Sequence, residues 1–375
     1  MKRSRCHVYW GLVTGPEIII QAKELTAFAE NILVALKVPR DRASLAAQVL
    51  IGANLRGIDS HGVQLLQYYA GQLEHGDVDP QTVGHVISET GACLLYDGEN
   101  GLGHPISQIC CNHAIRLAGE HGLGMVVVRE SNHFGAAYFW ARMMSATGQI
   151  GIVICNASPM VPPWQGKETR FGTNPICVSV PGGREEPWLL DMATTTVAAG
   201  KLYKAGINGV ETIPAGWAMD SDGVPTTDTQ KALKGLLMPL GGYKGSGLAM
   251  MVEILCAVLS GGAMSTQLGG IRLRGRPMRV NQMFLAIDPA RFLPLGEFTE
   301  RMDWLIRTVK AAAPATGYEE VLVAGEPERR SEEIRSREGI PVGAGTWKAL
   351  GEVAGRYGVP CPIAGSQVDN LHKTS

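Results

Sequence analysis

Two histidines stand where one element hands over to the next. His61 lies in "DSHGV" (59–63), after a helical stretch that stops at Gly57 and before another helix. His133 lies in "SNHFG" (131–135), between the strand-like "GMVVVRE" and the helix-like "AAYFWARMMSATG". An imidazole can take or return a proton near neutral pH. At a helix start the positive dipole end favours its neutral form, so His61 reads as a general base. Ser60 beside it can bind a substrate oxygen or cap the helix. His133 sits at a junction of the kind that often carries function in sheet proteins, and His104, in "GLGHPIS", is a third candidate. A lone histidine is also commonly a structural hydrogen-bonder. The question is therefore whether the two junctions meet in one pocket.

Three further stretches carry polar groups at turns. "GGYKGSGLAM" (241–250) opens an apolar helix, whose unpaired N–H groups and dipole suit a phosphate, with Lys244 adding charge. It lacks the lysine and hydroxyl residue that a Walker A loop has after its last glycine. No G-x-G-x-x-G occurs in the chain, so a bound dinucleotide would not sit on a plain Rossmann unit. In "WLLDMATTTVAAGK" a strand ends at Asp191, whose carboxylate could accept from a ribose or cap the next helix. "FGTNPI" (171–176) is a turn that offers Thr173 and Asn174.

These residues need a scaffold, and the composition supplies one. The chain has 375 residues, 45 % apolar and 18 % charged, enough for a sizeable core in two lobes or more. Its 35 acidic and 34 basic side chains give no general pull towards nucleic acid or an anionic membrane. The eight cysteines form no CxxC pair, so neither a metal site nor a disulfide framework is expected, and a reduced cytoplasm fits best. No uninterrupted apolar run is long enough to span a membrane. Pro16 and Glu17 break the first apolar stretch, so residues 1–16 read as an extension rather than a signal peptide.

Helical periodicity places Leu25, Phe28, Ile32, Leu33 and Leu36 on one face, with Pro39 ending that helix and Asp41 able to cap the next. A third helix ends near Gly76. Valine- and isoleucine-rich runs then read as strands: "MVVVRE", "IGIVICNAS", "PICVSVP", "WLLDMA" and "NQMFLAIDP". Helices are expected at 112–119 and 136–146. "LAMMVEILCAVLS" is apolar on nearly every face and is expected to be buried. After Pro289 the chain turns helical again, and "VLVAGEPERRSEEIRSREG" reads as a charged, solvent-facing stretch.

In this order, "GIDSHGVQLLQYY", "GLGMVVVRESNHFGAAYF", "GTNPICVSVP", "LLDMATTTVAAGK", "IPAGWAMDSDGVPTTD" and "PLGGYKGSGLAMMVEIL" resemble the type-2 malate/L-lactate dehydrogenase family. That family includes malate, lactate, sulfolactate and ureidoglycolate dehydrogenases, diketogulonate reductase and imino-acid reductases. The resemblance runs from about Glu17 to the last helices. It implies a mixed α/β (α+β), non-Rossmann fold. A helical domain built from both chain ends (17–85 and 298–375) would pack on a central mixed-sheet domain (86–297). NAD or NADP would lie in the cleft between them, and the enzyme would be a homodimer acting on a small molecule. The implied chemistry is hydride transfer between nicotinamide and a 2-hydroxy/2-oxo acid or a derivative of one. Reduction of a C=N bond is the alternative enzyme reading, and a cofactor-binding protein without turnover is the alternative of another class.

Carried over by motif, His61 would be the acid/base of some members and His133 that of others, with Ser60 beside them. Thr173, Asn174 and Pro175, the run Trp188, Leu189, Leu190, Asp191, Met192 and Ala193, then Tyr243 and Lys244, and Gly325, Glu326 and Pro327 would line the cofactor. One position departs from the pattern. Where the family's "SHGVxR" carries an arginine for the substrate carboxylate, this chain has Leu65. Either Arg56, Arg129 or Arg170 takes over, or the carboxylate is masked as an amide, an ester or a carrier-bound group, which is the reading the leucine favours.

Overall fold

The computed structural model describes residues 17–207, 209–362 and 365–368, so the 1–16 extension lies outside the described residues. The chain starts with β1 (Glu17–Ile20) and α1 (Ala22–Ala35), which buries Leu25, Phe28, Ala29, Ile32 and Leu33 on one face. Pro39 is the N-cap of α2 (Arg40–Leu55), and Asp41 lies inside its first turn rather than at the cap. α2 is buried on most of its circumference. Leu45, Val49 and Ala53 join one core, while Ala43, Ala46, Leu50 and Ile51 join another. It is the wall shared by both cores, and its C-terminal end leads into the His61 turn. α3 (Leu66–His75) follows.

The hairpin β2 (His85–Thr90) and β3 (Cys93–Asp97) leads to α4 (Gly103–His121). This helix is more than twice as long as the 112–119 stretch expected, because its early turns are built from small residues, cysteines and His104, which carry little periodic signal. Then come β4 (Leu123–Ser131), α5 (Ala137–Ser145), β5 (Ile150–Cys155), β6 (Ile176–Val180) and β7 (Trp188–Met192). α6 (Ala199–Ile207), β8 (Ala218–Met219), β9 (Pro225–Thr226), α7 (Thr229–Leu233) and β10 (Leu236–Leu237) share a small core that includes Val161, Leu202, Ala205, Ile213 and Leu237. α8 (Tyr243–Glu253) runs on through a π turn at Ile254–Val258 towards β11 (Val280–Ile287). α9 (Leu295–Lys310), α10 (Glu326–Glu338), β12 (Ile340–Gly343), α11 (Ala344–Tyr357) and β13 (Gly365–Val368) complete the chain.

The main sheet has seven strands in the order β2-β3-β4-β11-β5-β6-β7. Only β3 and β4 run parallel; the other pairs are antiparallel, so the sheet is mixed. Side chains alternate across it, as strand geometry requires. Val126, Val128, Val153 and Phe284 pack in the core with α4 and α5, whereas Val127, Ile154 and Met283 meet Val252 and Cys256 of the α8 segment on the other face. At the far end of the molecule β1 pairs with both β12 and β13, so residues from the two chain ends share one core with α1, α3 and α11.

Two expectations change, those for α8 and for α10. α8 is not enclosed: Met250, Met251, Ile254, Val258 and Leu259 remain exposed. α9 docks on the β6–β7 connection, where Asp303 accepts backbone N–H bonds from Gly183, Arg184 and Glu185 at 2.7–3.1 Å. The charged α10 is half-buried rather than free in solvent, because its charges are spent on ion pairs with the end of α2 and the turn after it.

Candidate active site

The loop after β4 is fixed before its histidine is reached. Asn132 Nδ2 donates to the carbonyls of Asn100 (3.1 Å) and Gly101 (2.9 Å), and Gln282 Nε2 of β11 donates to the Asn132 carbonyl (2.9 Å). The start of α4 presses on the same loop. A Cβ on Gly103 would stand 2.3 Å from the Asn132 carbonyl, so only glycine allows this approach. His133 Nδ1 then faces two groups, the Tyr69 hydroxyl at 2.6 Å and the Gly135 N–H at 3.2 Å. A backbone N–H can only donate, so Nδ1 is an acceptor and the neutral ring carries its proton on Nε2.

The turn after α2 is pinned from two directions. Asn54 Nδ2 donates to Asp59 Oδ1 at 2.7 Å, and Asn54 Oδ1 accepts the Val63 N–H at 2.7 Å. Gly62 lies so close to that asparagine that a Cβ would fall 2.3 Å from it. Arg335 of α10 grips Asp59 with two N–H groups, at 2.6 and 3.1 Å. His61 ends the short 3-10 turn Asp59–His61, five residues before α3, so no α-helix dipole acts on it. Its Nδ1 is 3.0 Å from Ser60 Oγ.

The two histidine rings stack with centroids 5.6 Å apart and planes 19° apart, so the junctions do meet. Burial, rather than a helix dipole, lowers the His61 imidazole to about 4. His133 is held well below its ordinary range by burial first, then by His61, His104 and Arg272. His104 is fully buried behind Tyr69, edge-on at 5.2 Å, and is lowered to about 3. Both imidazoles of the pair are therefore neutral at pH 7. They differ in one respect: Ser60 can accept or donate at His61 Nδ1, whereas His133 Nδ1 meets a fixed donor.

Asp191, near the end of β7, keeps an exposed edge, yet the protein packed around its carboxyl raises it to about 6. It accepts the Tyr138 N–H at 2.9 Å, so it caps the first turn of α5 and not a helix after it. Thr194 donates to the Thr173 carbonyl through its N–H (2.9 Å) and its hydroxyl (3.0 Å), and its own carbonyl accepts the Leu240 N–H (2.9 Å). These bonds draw "GTNP", "DMATT" and the start of α8 together. Asn174 is buried within them. Its amide is spent on Ala249 (2.9 Å) and Glu253 (3.1 Å) and its oxygen on the Ala157 N–H (3.0 Å), so its side chain is a scaffold tie. Pro175, Leu190, Met192 and Ala193 are half-buried around it, and Tyr243 and Lys244 are exposed. Trp188, Leu189, Gly325, Arg142 and Arg329 help to line a cavity of about 320 Å³. Glu326 also borders it but is committed to Lys310 and to the Val323 N–H (2.9 Å), with Pro327 half-buried next to it.

The arginines anticipated for a carboxylate are occupied. Arg56 is buried, pairs with Glu332 at 2.7 Å and lies over the Tyr138 ring. Arg129 holds Asp97 at 2.9 Å, and Arg170 holds Glu168 out in solvent. Leu65 is 4 % exposed, inside the core that joins the chain ends. Arg272, which motif reading passed over, stands over the rings of Tyr68 (4.9 Å) and Tyr203 (4.5 Å) and acts on His133. Its signal in the sequence was the run "IRLRGRPMR", four arginines in nine residues just before a buried strand.

Comparison with known proteins extends this picture. The family model for malate/L-lactate dehydrogenase matches residues 20–351. A malate dehydrogenase of Pyrococcus horikoshii is 36 % identical over 93 % of this chain and 98 % of its own length. An L-sulfolactate dehydrogenase of Methanocaldococcus jannaschii is 34 % identical over 88 % of this chain and 94 % of its own. The solved P. horikoshii enzyme superposes with a TM-score of 0.85, covering 92 % of this chain and 97 % of that one at 35 % identity. A delta1-piperideine-2-carboxylate reductase of Pseudomonas syringae does so with 0.79, covering 90 % and 99 % at 27 % identity. A model match over most of the length, relatives above 30 % identity and the shared non-Rossmann sheet agree: this chain belongs to the malate/L-lactate dehydrogenase family.

Proposed function

We propose that this chain, by family an oxidoreductase of hydroxy acids, uses His61 as its acid/base and His133 as a fixed hydrogen-bond donor to the same substrate oxygen. The observation that carries this reading is the pair of stacked imidazoles with unlike Nδ1 partners. A ring must hold protons on both nitrogens after it takes one from a hydroxyl. His61 can do so, because Ser60 Oγ accepts from Nδ1–H in either charge state. His133 cannot, because its Nδ1 faces the Gly135 N–H. Its Nε2–H instead donates to the oxygen on which negative charge develops.

The residues fit a nicotinamide dinucleotide, NAD or NADP. Asp191 lends one oxygen to the Tyr138 N–H and is exposed, so its other oxygen is available to a ribose hydroxyl. The cavity beside Trp188, Leu189 and Gly325 has room for an aromatic base, and the start of α8 with Lys244 presents N–H groups and charge for a pyrophosphate. When bound, the nicotinamide supplies the hydride chemistry. His61 Nε2 takes the hydroxyl proton in oxidation and returns it in reduction. A carbon–nitrogen double bond could be reduced by the same pair, a second reading favoured by the likeness to the P. syringae piperideine-carboxylate reductase.

The exposed apolar stripe on α8 and its π turn supports a homodimer, since such a face is the usual mark of an interface. The unpaired thiols of the described cysteines support a reducing, cytoplasmic setting. Among the described residues no helix is long and apolar enough to cross a membrane. We assign residues 17–85 and 298–375 to one domain and 86–297 to the other, with the substrate between them.

The test is turnover of 2-oxo acids with NADH or NADPH. His61→Ala should lose ~10²-fold or more in kcat with cofactor Kd unchanged. His133→Ala should lose less, because it removes a hydrogen bond and no proton transfer. Equal rates for His61→Ala and wild type would end the acid/base assignment.

A further inference from the structure

We infer that Arg272 binds the substrate's carboxylate, held for that task by Tyr68 and Tyr203. This rests on the proposed reaction and adds which residue recognises the acid. The other arginines weighed for this task are spent. Arg56, Arg129 and Arg170 have carboxylate partners, and Leu65 is sealed in the core.

The neighbours of Arg272 are spent as well. Arg274 donates to the carbonyls of Ile271 (3.0 Å) and Leu273 (2.9 Å), and Arg276 to those of Thr266 (3.1 Å) and Gln267 (2.7 Å). Arg279 clasps both oxygens of Glu130. Among the described residues Arg272 alone of the four forms no hydrogen bond or ion pair. What holds it instead is aromatic: its guanidinium carbon lies 4.9 Å from the Tyr68 centroid on α3 and 4.5 Å from the Tyr203 centroid on α6. Ring faces attract the cation but offer no acceptor in its plane, so they orient the group and leave its N–H fork for a planar anion. The side chain is exposed and therefore reachable. Tyr68, whose ring Arg272 covers, is the chain neighbour of Tyr69, whose hydroxyl lies 2.6 Å from His133 Nδ1, so the fork and the histidine meet the same turn of α3.

The arrangement defines the substrate. One oxygen, on the carbon that loses or gains hydride, lies against His61 and His133. A free carboxylate on the adjacent carbon lies against Arg272. The acid is bound bidentately, and a masked acid is not.

The experiment uses the full chain with cofactor present. Oxamate, an unreactive 2-oxo acid analogue, is titrated calorimetrically, and KM is measured for 2-oxo acids and for their amides. Arg272→Ala should weaken oxamate and raise KM for the acids by about tenfold to a hundredfold, the range of a charge-assisted bond, with the amides hardly affected. Arg272→Lys should recover part of this, since lysine restores charge without the fork. Tyr203→Leu should raise KM for the acids a few-fold in the wild-type background and not at all beside Arg272→Ala. Arg276→Ala, four residues along the same loop, should do nothing. Unchanged oxamate binding in Arg272→Ala, or an equal loss for acid and amide, would overturn the inference. If wild type turned over no hydroxy or oxo acid while oxamate binding still depended on Arg272, the proposed reaction would fall and the carboxylate site would stand. If turnover were brisk and indifferent to Arg272, the reverse would hold.

Discussion

An arginine placed at position 65 would have nowhere to put its charge. Leu65 packs with Val63, Leu66 and Tyr69 among the buried residues of the helical core. Leu65→Arg should therefore destabilise the protein by several kcal/mol, because an unpaired cation would be buried. Urea unfolding measures this, and a variant as stable as wild type but faster on malate would reverse the account of Arg272. The pH profile makes a second residue-scale prediction. Oxidation needs neutral His61, and burial lowers its pKa, so the acid limb of kcat/KM should fall near pH 4 rather than near 6.5. A limb at 6.5 would show a water-exposed histidine at work. The sequence revealed both histidines, because a His at an element junction is visible in a motif. It hid which one can hold a second proton, since that depends on Tyr69 and Gly135. It hid Arg272 too, whose partners come from helices far away in the chain.

Elements that looked simple in the sequence carry two roles in the structure. α8 and its π turn give Val252 and Cys256 to the sheet and leave Met250, Ile254, Val258 and Leu259 outside. A helix apolar on all sides reads the same whether the second side meets its own chain or another copy, so the pattern alone suggested burial. Ile254→Asp should yield monomers by sedimentation or light scattering without loss of the fold, and an unchanged oligomer would place the interface elsewhere. α10 is the opposite case. Its charges suggested a solvated helix, yet Arg335 and Glu332 reach Asp59 and Arg56 at the end of α2. Strands β4, β5, β6, β7 and β11 were the most legible elements, because runs such as "MVVVRE" and "NQMFLAI" are apolar on both faces of a covered sheet, whereas the exposed β2 gave no such run.

At the scale of the whole molecule, histidines whose proton affinity is lowered by burial, His61 and His104 among them, make stability depend on pH. Unfolded histidine binds a proton near 6.5, whereas His61 and His104 in the folded state resist it until about 4 and about 3. Between those values the unfolded chain holds more protons, so stability is lost as pH falls from 6.5 towards 4. For His104, which no solvent reaches, the loss is on the order of 2–3 kcal/mol by pH 4.5. His104→Leu should flatten that part of the profile in thermal melts at graded pH, and the same slope in the variant would assign the acid lability to other groups.

The pairing of β1 with β12 and β13 also sets a clock on biosynthesis. Ile19 lies opposite Pro341, roughly 320 residues later. At the ~5–20 residues per second of ribosomal elongation, the first strand waits some 16–64 seconds for its partner. Through that interval α1 and α3 lack the apolar surface that Ile340, Val342, Leu350 and Val353 later provide, so the nascent chain presents a sticky lobe. Arg335, the clamp on the His61 turn, emerges just before the closing strand. The turn that carries His61 is thus among the last parts to be fixed, and a ribosome that stops early releases a chain in which Asp59 has no Arg335 to hold it.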